Sequence, residues 1–194
     1  MTKTKLMNQK RVLEVAATLF LEKGFVYTSM DELVRVSKVS KSNVYYHFSN
    51  KEELLEGVVD YWIDMYQAAM DDVLSQTQFS VEDRIQLFLK QLSQGVQSRE
   101  YKGSCPFITL YIQSPAKATQ IKEKIGLFFT GLQEKVSLLL KQGVENGEFR
   151  DSIQIDEVAS LFMTNLEGAL FISETLKDAT VITKTADHLF NLLR

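Results

Sequence analysis

The chain has 194 residues, 45% of them hydrophobic, which is enough apolar material to bury a sizeable core. No apolar run approaches the roughly 20 residues of a membrane span, and Met1–Lys10 is polar and basic without an apolar signal core, so we expect a cytoplasmic protein without membrane contact. The net charge is −3, yet residues 1–51 carry nine Lys or Arg against four Asp or Glu, while the remainder carries 13 against 21. A basic head on an acidic body predicts an anionic partner at one end.

Two helices are predicted before residue 37. The first carries apolar residues at helical spacing, and Gly24 follows it at a position that suits a left-handed C-cap. The second is short and is predicted to begin at Thr28, three residues before Asp31 in a capping-box-like pattern. Its inner face consists of Met30, Leu33 and Val34.

Two further helices follow the interruption at Ser37-Lys38-Val39. Ser40 is predicted to cap a third helix that runs to about Phe48. Asn50, with Glu53 three residues later, caps a fourth that continues at least to Ala69. The third helix is therefore short and the fourth is long.

Five more helices complete an all-α chain of about nine helices. Pro106 opens one of them, and Asn146-Gly147 is a strong C-terminal stop for the next. We expect these five at about residues 81–98, 106–113, 121–144, 156–177 and 180–193.

The second and third helices form a helix-turn-helix pattern. Its second helix needs an apolar back, which Val44 and Phe48 supply, and a polar front that enters the major groove of DNA. The candidate front consists of Lys41, Ser42, Asn43, Tyr45, Tyr46 and His47. One of the two adjacent tyrosines can instead face inward. Phosphates on either side are within reach of Thr28, Ser40 and Lys51.

From Arg11 to Val59 the chain resembles the DNA-binding domain of TetR-type repressors. The resemblance rests on four ordered stretches: Ala17-Thr18-Leu19-Phe20 with Gly24-Phe25, Thr28–Leu33, Val39–Phe48 and Lys51–Leu54. It implies a DNA-binding segment at residues 1–50 and a regulatory, dimerising segment at residues 51–194. It also implies base contacts from the third helix, and phosphate contacts from the Tyr and Lys residues that flank it.

One departure from the family pattern concerns the turn. Family members usually have Ala-Gly-Val there, whereas this chain reads Ser37-Lys38-Val39. Lys38 replaces a glycine that often has a positive φ, a conformation that a lysine adopts only at a cost. We therefore expect the fold, but not necessarily the usual turn geometry.

In this family the acidic body implies a regulatory domain that binds a small molecule. Residues that can line an apolar pocket are Trp62, Met65, Tyr66, Phe107, Tyr111, Phe128, Phe129, Phe162 and Met163. An ordinary core role is equally compatible with each of them. The effector itself is unknown, and its expected character is apolar or amphipathic.

The last two helices form a four-helix dimer interface in this family, so we expect a homodimer. The candidate interface residues are Phe162, Gly168, Ala169, Ile172, Ala186, Leu189 and Phe190. Gly168 and Ala169 would let a partner helix approach closely. The predicted function is therefore a repressor that a small ligand releases from a palindromic operator in double-stranded DNA.

Two other classes of function compete with this prediction. An architectural DNA-binding protein would use the same head without ligand control. An enzyme is disfavoured because no catalytic set of side chains, phosphate loop or metal-ligand spacing is present. His47 and His188 lie in unrelated segments, and no cofactor or metal is expected. Cys105, the single cysteine, is expected to be a small buried residue rather than a redox group.

Overall fold

The computed structural model describes residues 3–193 and folds them into nine α-helices without a β-strand. The helices are α1 (Lys3–Glu22), α2 (Met30–Ser37), α3 (Lys41–His47), α4 (Lys51–Ser75), α5 (Val81–Ser98), α6 (Pro106–Gln113), α7 (Thr119–Glu145), α8 (Ile155–Leu176) and α9 (Thr180–Leu193). The all-helical fold and the helix count predicted from the sequence are confirmed for this part of the chain.

Contacts between residues divide the chain into two compact units. The first comprises the chain up to Met65 together with Pro106–Gly126, and so contains α1 to α3, the first part of α4, α6 and the start of α7. The second comprises Tyr66–Cys105 and the chain from Leu127 onward. These units are defined by spatial contacts and not by function. The functional division at residue 50 therefore stays a prediction.

In the first unit, α1 packs against α2, α3 and α6. The side chains of Phe20, Leu33 and Val44 are fully buried where α1, α2 and α3 meet. Phe25, just after α1, places its ring edge-on to Phe20 at 5.4 Å between centroids. Burying large apolar side chains between these three helices stabilises α2 and α3, which with 8 and 7 residues are too short to be stable alone.

Two left-handed residues shape the turns of this head. Gly24 follows α1 with φ +95°, which agrees with its predicted role at the end of that helix. Lys38 caps the C-terminus of α2 with φ 58° and ψ 21°, and its N–H donates to the carbonyl of Val34. The lysine thus adopts the conformation for which the family usually employs glycine.

The N-cap predicted for α2 is wrong by one residue. Ser29 is the N-cap, and its hydroxyl accepts a hydrogen bond from the N–H of Glu32. Thr28 turns inward instead, because its hydroxyl donates to the carbonyl of Gly24 at 2.9 Å. Ser40 caps α3 as predicted and accepts from the N–H of Asn43.

The second unit is held by contacts of α9 with α8 and α5. Arg84 on α5 is buried and donates to the carbonyls of Val73 and Leu74, so it satisfies the C-terminal end of α4. Phe149 stacks on Phe190 of α9 at 5.9 Å between ring centroids. None of the helices in residues 3–193 is long and apolar enough to cross a membrane.

Candidate nucleic-acid interface

The third helix separates its two faces as a DNA-reading helix requires. Val44 and Phe48 are buried, whereas Tyr45 and Tyr46 are exposed, Tyr46 by 60%. Both tyrosines therefore face outward, and the alternative in which one packs in the core is not realised. Lys41 and Ser42 are also exposed.

The first turn of α3 is ordered by its own polar side chains. The Ser40 hydroxyl lies 3.3 Å from the hydroxyl of Ser42 and accepts from the side-chain amide of Asn43 at 3.2 Å. Asn43 is half-buried. Its side chain is thus held in a fixed position at the front of the helix, where an amide can pair with a base edge.

Lys41 forms an ion pair within the protein. Its ammonium donates to Asp31 of α2 at 2.8 Å, and this bond raises the pKa of Lys41 above its ordinary value. Both partners are largely exposed, so the pair is weak. Phosphate can therefore compete with Asp31 for this cation.

Tyr46 and His47 form an aromatic end to the helix. The ammonium of Lys5 on α1 lies 4.1 Å from the Tyr46 ring centroid, a cation–π distance. The His47 ring meets Tyr46 edge-on at 5.0 Å, and its buried Nε2 has no hydrogen-bond partner among the residues that the structure describes. Sequence reasoning missed Lys5, whose only signal was its place in the basic segment before the first helix.

Thr28 and Lys51 have internal partners that the sequence did not reveal. Thr28 is 1% exposed, so its side chain does not face a phosphate. The ammonium of Lys51 donates to the carbonyls of Phe25 at 2.8 Å, Thr28 at 3.1 Å and Val26 at 3.3 Å. It also lies 4.4 Å from the Phe25 ring centroid. A phosphate contact by Lys51 would require its ammonium to leave these carbonyls.

A second side chain, from α6, holds the turn at Gly24 and Phe25. The N–H of Phe25 donates to Oε1 of Gln113, the last residue of α6, at 2.8 Å. The Gln113 amide also contacts Gly24, where a Cβ would lie 3.6 Å from its oxygen. Gln113 was not among the predicted site residues, because nothing in the sequence links positions 88 residues apart.

The nine predicted pocket residues are distributed over both units. Trp62 and Phe107 are buried in the first unit, whereas Met65 and Tyr111 of that unit are exposed. The other five belong to the second unit, where four are buried and Phe129 is half-buried: Tyr66, Phe128, Phe129, Phe162 and Met163. Among these, the ring of Phe128 meets Tyr66 at 6.2 Å and Phe129 at 5.7 Å between centroids.

Most predicted interface residues are buried within this chain. That group comprises Phe162, Ala169, Ala186, Leu189 and Phe190. Gly168 and Ile172 are exposed, and the same face of α8 carries three exposed apolar side chains that the prediction missed: Leu161, Phe171 and Leu176. These exposed apolar side chains make α8 a candidate face for a partner.

Within the described residues, no group of three or more His, Cys, Asp or Glu side chains is arranged to hold a metal ion. The candidate functional features of the described residues are the exposed polar front of α3, the turn at Gly24 and Phe25, and the exposed apolar side chains of α8.

Two family models match the chain. The model for bacterial regulatory proteins of the tetR family matches residues 12–58, and the model for the tetracyclin repressor-like C-terminal domain matches residues 81–189. Together they include both the head and most of the regulatory body.

Relatives of known sequence are similar over much of their length. The HTH-type transcriptional regulator YfiR of Bacillus subtilis is 26% identical over 183 residues, which is 92% of this chain and 87% of YfiR. The HTH-type transcriptional regulator QacR of Staphylococcus aureus is 25% identical over 144 residues, 74% of each chain.

A solved structure shows the same fold. The regulatory protein TetR from Rhodobacter sphaeroides superposes with a TM-score of 0.87, covering 97% of this chain and all of that one at 16% identity. Members of this family are DNA-binding transcriptional regulators and not enzymes. The two family models, which match more than half of the sequence, show that the chain belongs to the TetR family of helix-turn-helix transcriptional regulators.

Proposed function

We propose that this regulator is a homodimeric repressor that reads a palindromic operator and is released from it by a small apolar or amphipathic ligand. The observation that carries the proposal is the division of α3 into a buried back and an exposed front. Lys41, Ser42, Asn43, Tyr45 and Tyr46 together offer one cation and several hydrogen-bonding groups on that front. A helix of this kind enters the major groove, where each base pair has its own donor and acceptor pattern.

Dimerisation is supported by α8. Leu161, Gly168, Phe171, Ile172 and Leu176 follow helical spacing and lie on one face, and Phe171 and Leu176 are 64% and 66% exposed. A Cβ added at Gly168 would meet no atom within 4 Å, so a partner helix has room to approach. Two such faces related by a two-fold axis would bury each other.

A two-fold dimer with one reading helix per chain requires two symmetric half-sites. The reading helices would occupy successive major grooves about 34 Å apart, or a wider spacing if the heads splay.

Ligand release requires that the ligand favour a conformer that does not fit this spacing. A hundredfold loss of operator affinity corresponds to a coupling free energy of about 2.7 kcal/mol.

Selection of bound duplexes from a random pool tests the operator proposal. We expect one motif with two-fold symmetry, and a flat dependence on sequence would instead indicate an architectural DNA-binding protein.

The variant Asn43→Ala should change the preferred bases, because an amide reads base edges. The matched variant Lys41→Met should weaken binding to all sequences alike and lower the salt slope by about one. If both variants shift base preference and neither changes the salt slope, the assignment of α3 fails.

A further inference from the structure

Lys5 on α1 lies against the front of the reading helix. Its ammonium is 4.1 Å from the centroid of the Tyr46 ring, and α1 packs against α3 within the same compact unit. Tyr46 is 60% exposed, and it follows Ser42 and Asn43 by four and three positions. Residues at this spacing share one face of a helix. Lys5 therefore lies beside the C-terminal end of the face that carries Ser42 and Asn43.

The ammonium of Lys5 differs from most other cations of the head in its partners. Those cations are held by an acidic side chain or by backbone carbonyls: Lys10 by Glu14, Lys23 and Arg35 by Glu32, Lys41 by Asp31, Arg11 by the carbonyl of Ser37, and Lys51 by the carbonyls of Phe25, Val26 and Thr28. Among the described residues, Lys5 has neither kind of partner.

An aromatic ring can hold an ammonium and still leave N–H donors unused. The attraction is electrostatic and acts within about 6 Å of the ring centroid. A lysine ammonium has three N–H donors, so the face of Tyr46 restricts the position of the Lys5 ammonium and leaves donors for an acceptor from outside the chain. A phosphate that approaches Lys5 has no internal acceptor to displace, whereas at Lys41 it must displace Asp31.

We propose that Lys5 contacts DNA by binding a phosphate at the border of the major groove that α3 reads. The Tyr46 ring positions the ammonium, and the contact extends the DNA interface from α3 to α1. This inference rests on the proposed role of α3 as the reading helix, but not on dimerisation or on ligand release. A phosphate contact carries no base information, so the effect of Lys5 should be equal for all sequences.

The salt dependence of DNA binding tests this contact in the variant Lys5→Met. The probes are a duplex selected from the random pool and a duplex of unrelated sequence. Loss of one phosphate contact should lower the slope of log affinity against log salt by about 0.9 on both probes. The same relation gives an affinity loss of about eightfold at about 0.1 M salt and almost none near about 1 M. Lys5→Arg should restore the slope, because a guanidinium also binds phosphate and the face of a tyrosine.

Lys10→Met is the matched control for this experiment. It removes a lysine charge from the same helix, so the two variants change the net charge equally. Lys5 and Lys10 are five positions apart, which is about 140° around a helix, so Lys10 lies on a different side of α1. We expect Lys10→Met to leave the slope unchanged. If Lys5 served only to hold α1 on α3, Lys5→Met would lower Tm without changing the slope. That result, or the same slope in both variants, would overturn the proposal.

The part played by the ring is tested by repeating the lysine substitution in two tyrosine variants. Tyr46→Phe keeps the ring, so the addition of Lys5→Met should still lower affinity about eightfold at about 0.1 M salt. Tyr46→Ala removes the ring, and the same addition should lower affinity much less, because the ammonium is no longer held near the phosphate. An equal loss in both backgrounds would refute the positioning of Lys5 by Tyr46.

Base preference separates this inference from the proposed role of α3. If Asn43→Ala changes the preferred bases while Lys5→Met leaves the salt slope unchanged, α3 reads the DNA and the Lys5 contact fails. If Lys5→Met lowers the slope while Asn43→Ala leaves the preferred bases unchanged, the contact from α1 stands and the reading role of Asn43 fails.

Discussion

Replacing Lys51 by methionine distinguishes an internal from a DNA-binding role for this lysine. Methionine keeps an apolar stem of similar length but removes the ammonium, which donates to the carbonyls of Phe25, Val26 and Thr28. Two of these bonds are part-buried and one is exposed. Sequence reasoning assigned the same ammonium to a DNA phosphate.

The expected loss of stability follows from the bonds removed. Each part-buried bond to a charged donor contributes about 1.5 kcal/mol, and the freed side chain recovers roughly 1 kcal/mol of rotamer entropy. The free energy of unfolding should therefore fall by about 2 kcal/mol, which lowers Tm by about 4 to 8 °C in a chain of this size. Lys10→Met is the control, because the exposed Lys10 ammonium has one ion-pair partner among the described residues, Glu14 at 3.8 Å.

Thermal unfolding and the salt dependence of operator binding together decide between the two roles. An internal role lowers Tm and leaves the salt slope unchanged. A phosphate contact lowers the slope by about 0.9 and leaves Tm unchanged. An unchanged Tm in Lys51→Met would refute the stability argument, whatever the slope.

Three further predictions concern other parts of the chain. Gln113→Leu removes the acceptor of the Phe25 N–H, so that amide should exchange its hydrogen faster and Tm should fall; unchanged exchange would contradict the bond. Phe171→Asp should convert the dimer to monomers in sedimentation experiments because it places a charge in the proposed interface, whereas Leu87→Asp, also at an exposed position, should not. Burial raises the pKa of Glu167, so its contribution to stability is present at low pH and is lost as pH rises. Glu167→Gln should therefore raise Tm more at about pH 8 than at about pH 5, and an equal change at both would contradict this.

The helices were predictable because their signals are local. The apolar period of a helix and its caps involve residues three or four positions apart, and Gly24 and Ser40 adopt their predicted roles for that reason. Lys38 shows how far such reasoning extends. The family pattern left the turn geometry open because a lysine stands where glycine is usual, and Lys38 nevertheless adopts the left-handed conformation.

Partners distant in sequence could not be predicted. The basic charge of Lys51 was visible, but its carbonyl acceptors lie 23 to 26 residues earlier and carry no side-chain signal. The assignment of Lys51 to a DNA phosphate therefore rests on the family resemblance alone. Thr28 was misread for a related reason, because adjacent Thr28 and Ser29 both suit an N-cap and only packing selects between them.

The interface residues could not be selected from the sequence alone, because α8 is apolar on more than one side. Phe162 and Phe171 are equally hydrophobic, yet the first is buried within the chain and the second is exposed. Spacing along a helix states which residues share a face. It does not state which face the chain covers itself and which it leaves for a partner.

The turn at Phe25 connects these findings, since both polar groups of one backbone residue are held by elements outside the helix-turn-helix. Its N–H is bonded by Gln113 of α6, and its carbonyl by Lys51 at the start of α4. Two residues outside the predicted DNA-binding segment thereby hold the turn that precedes α2. A movement of α6 that broke the Gln113 bond would leave a part-buried N–H without an acceptor, at a cost of about 1 to 3 kcal/mol. That cost is comparable to the coupling free energy that the proposed ligand release needs for a hundredfold effect, so the loss of this one contact is large enough to account for most of it.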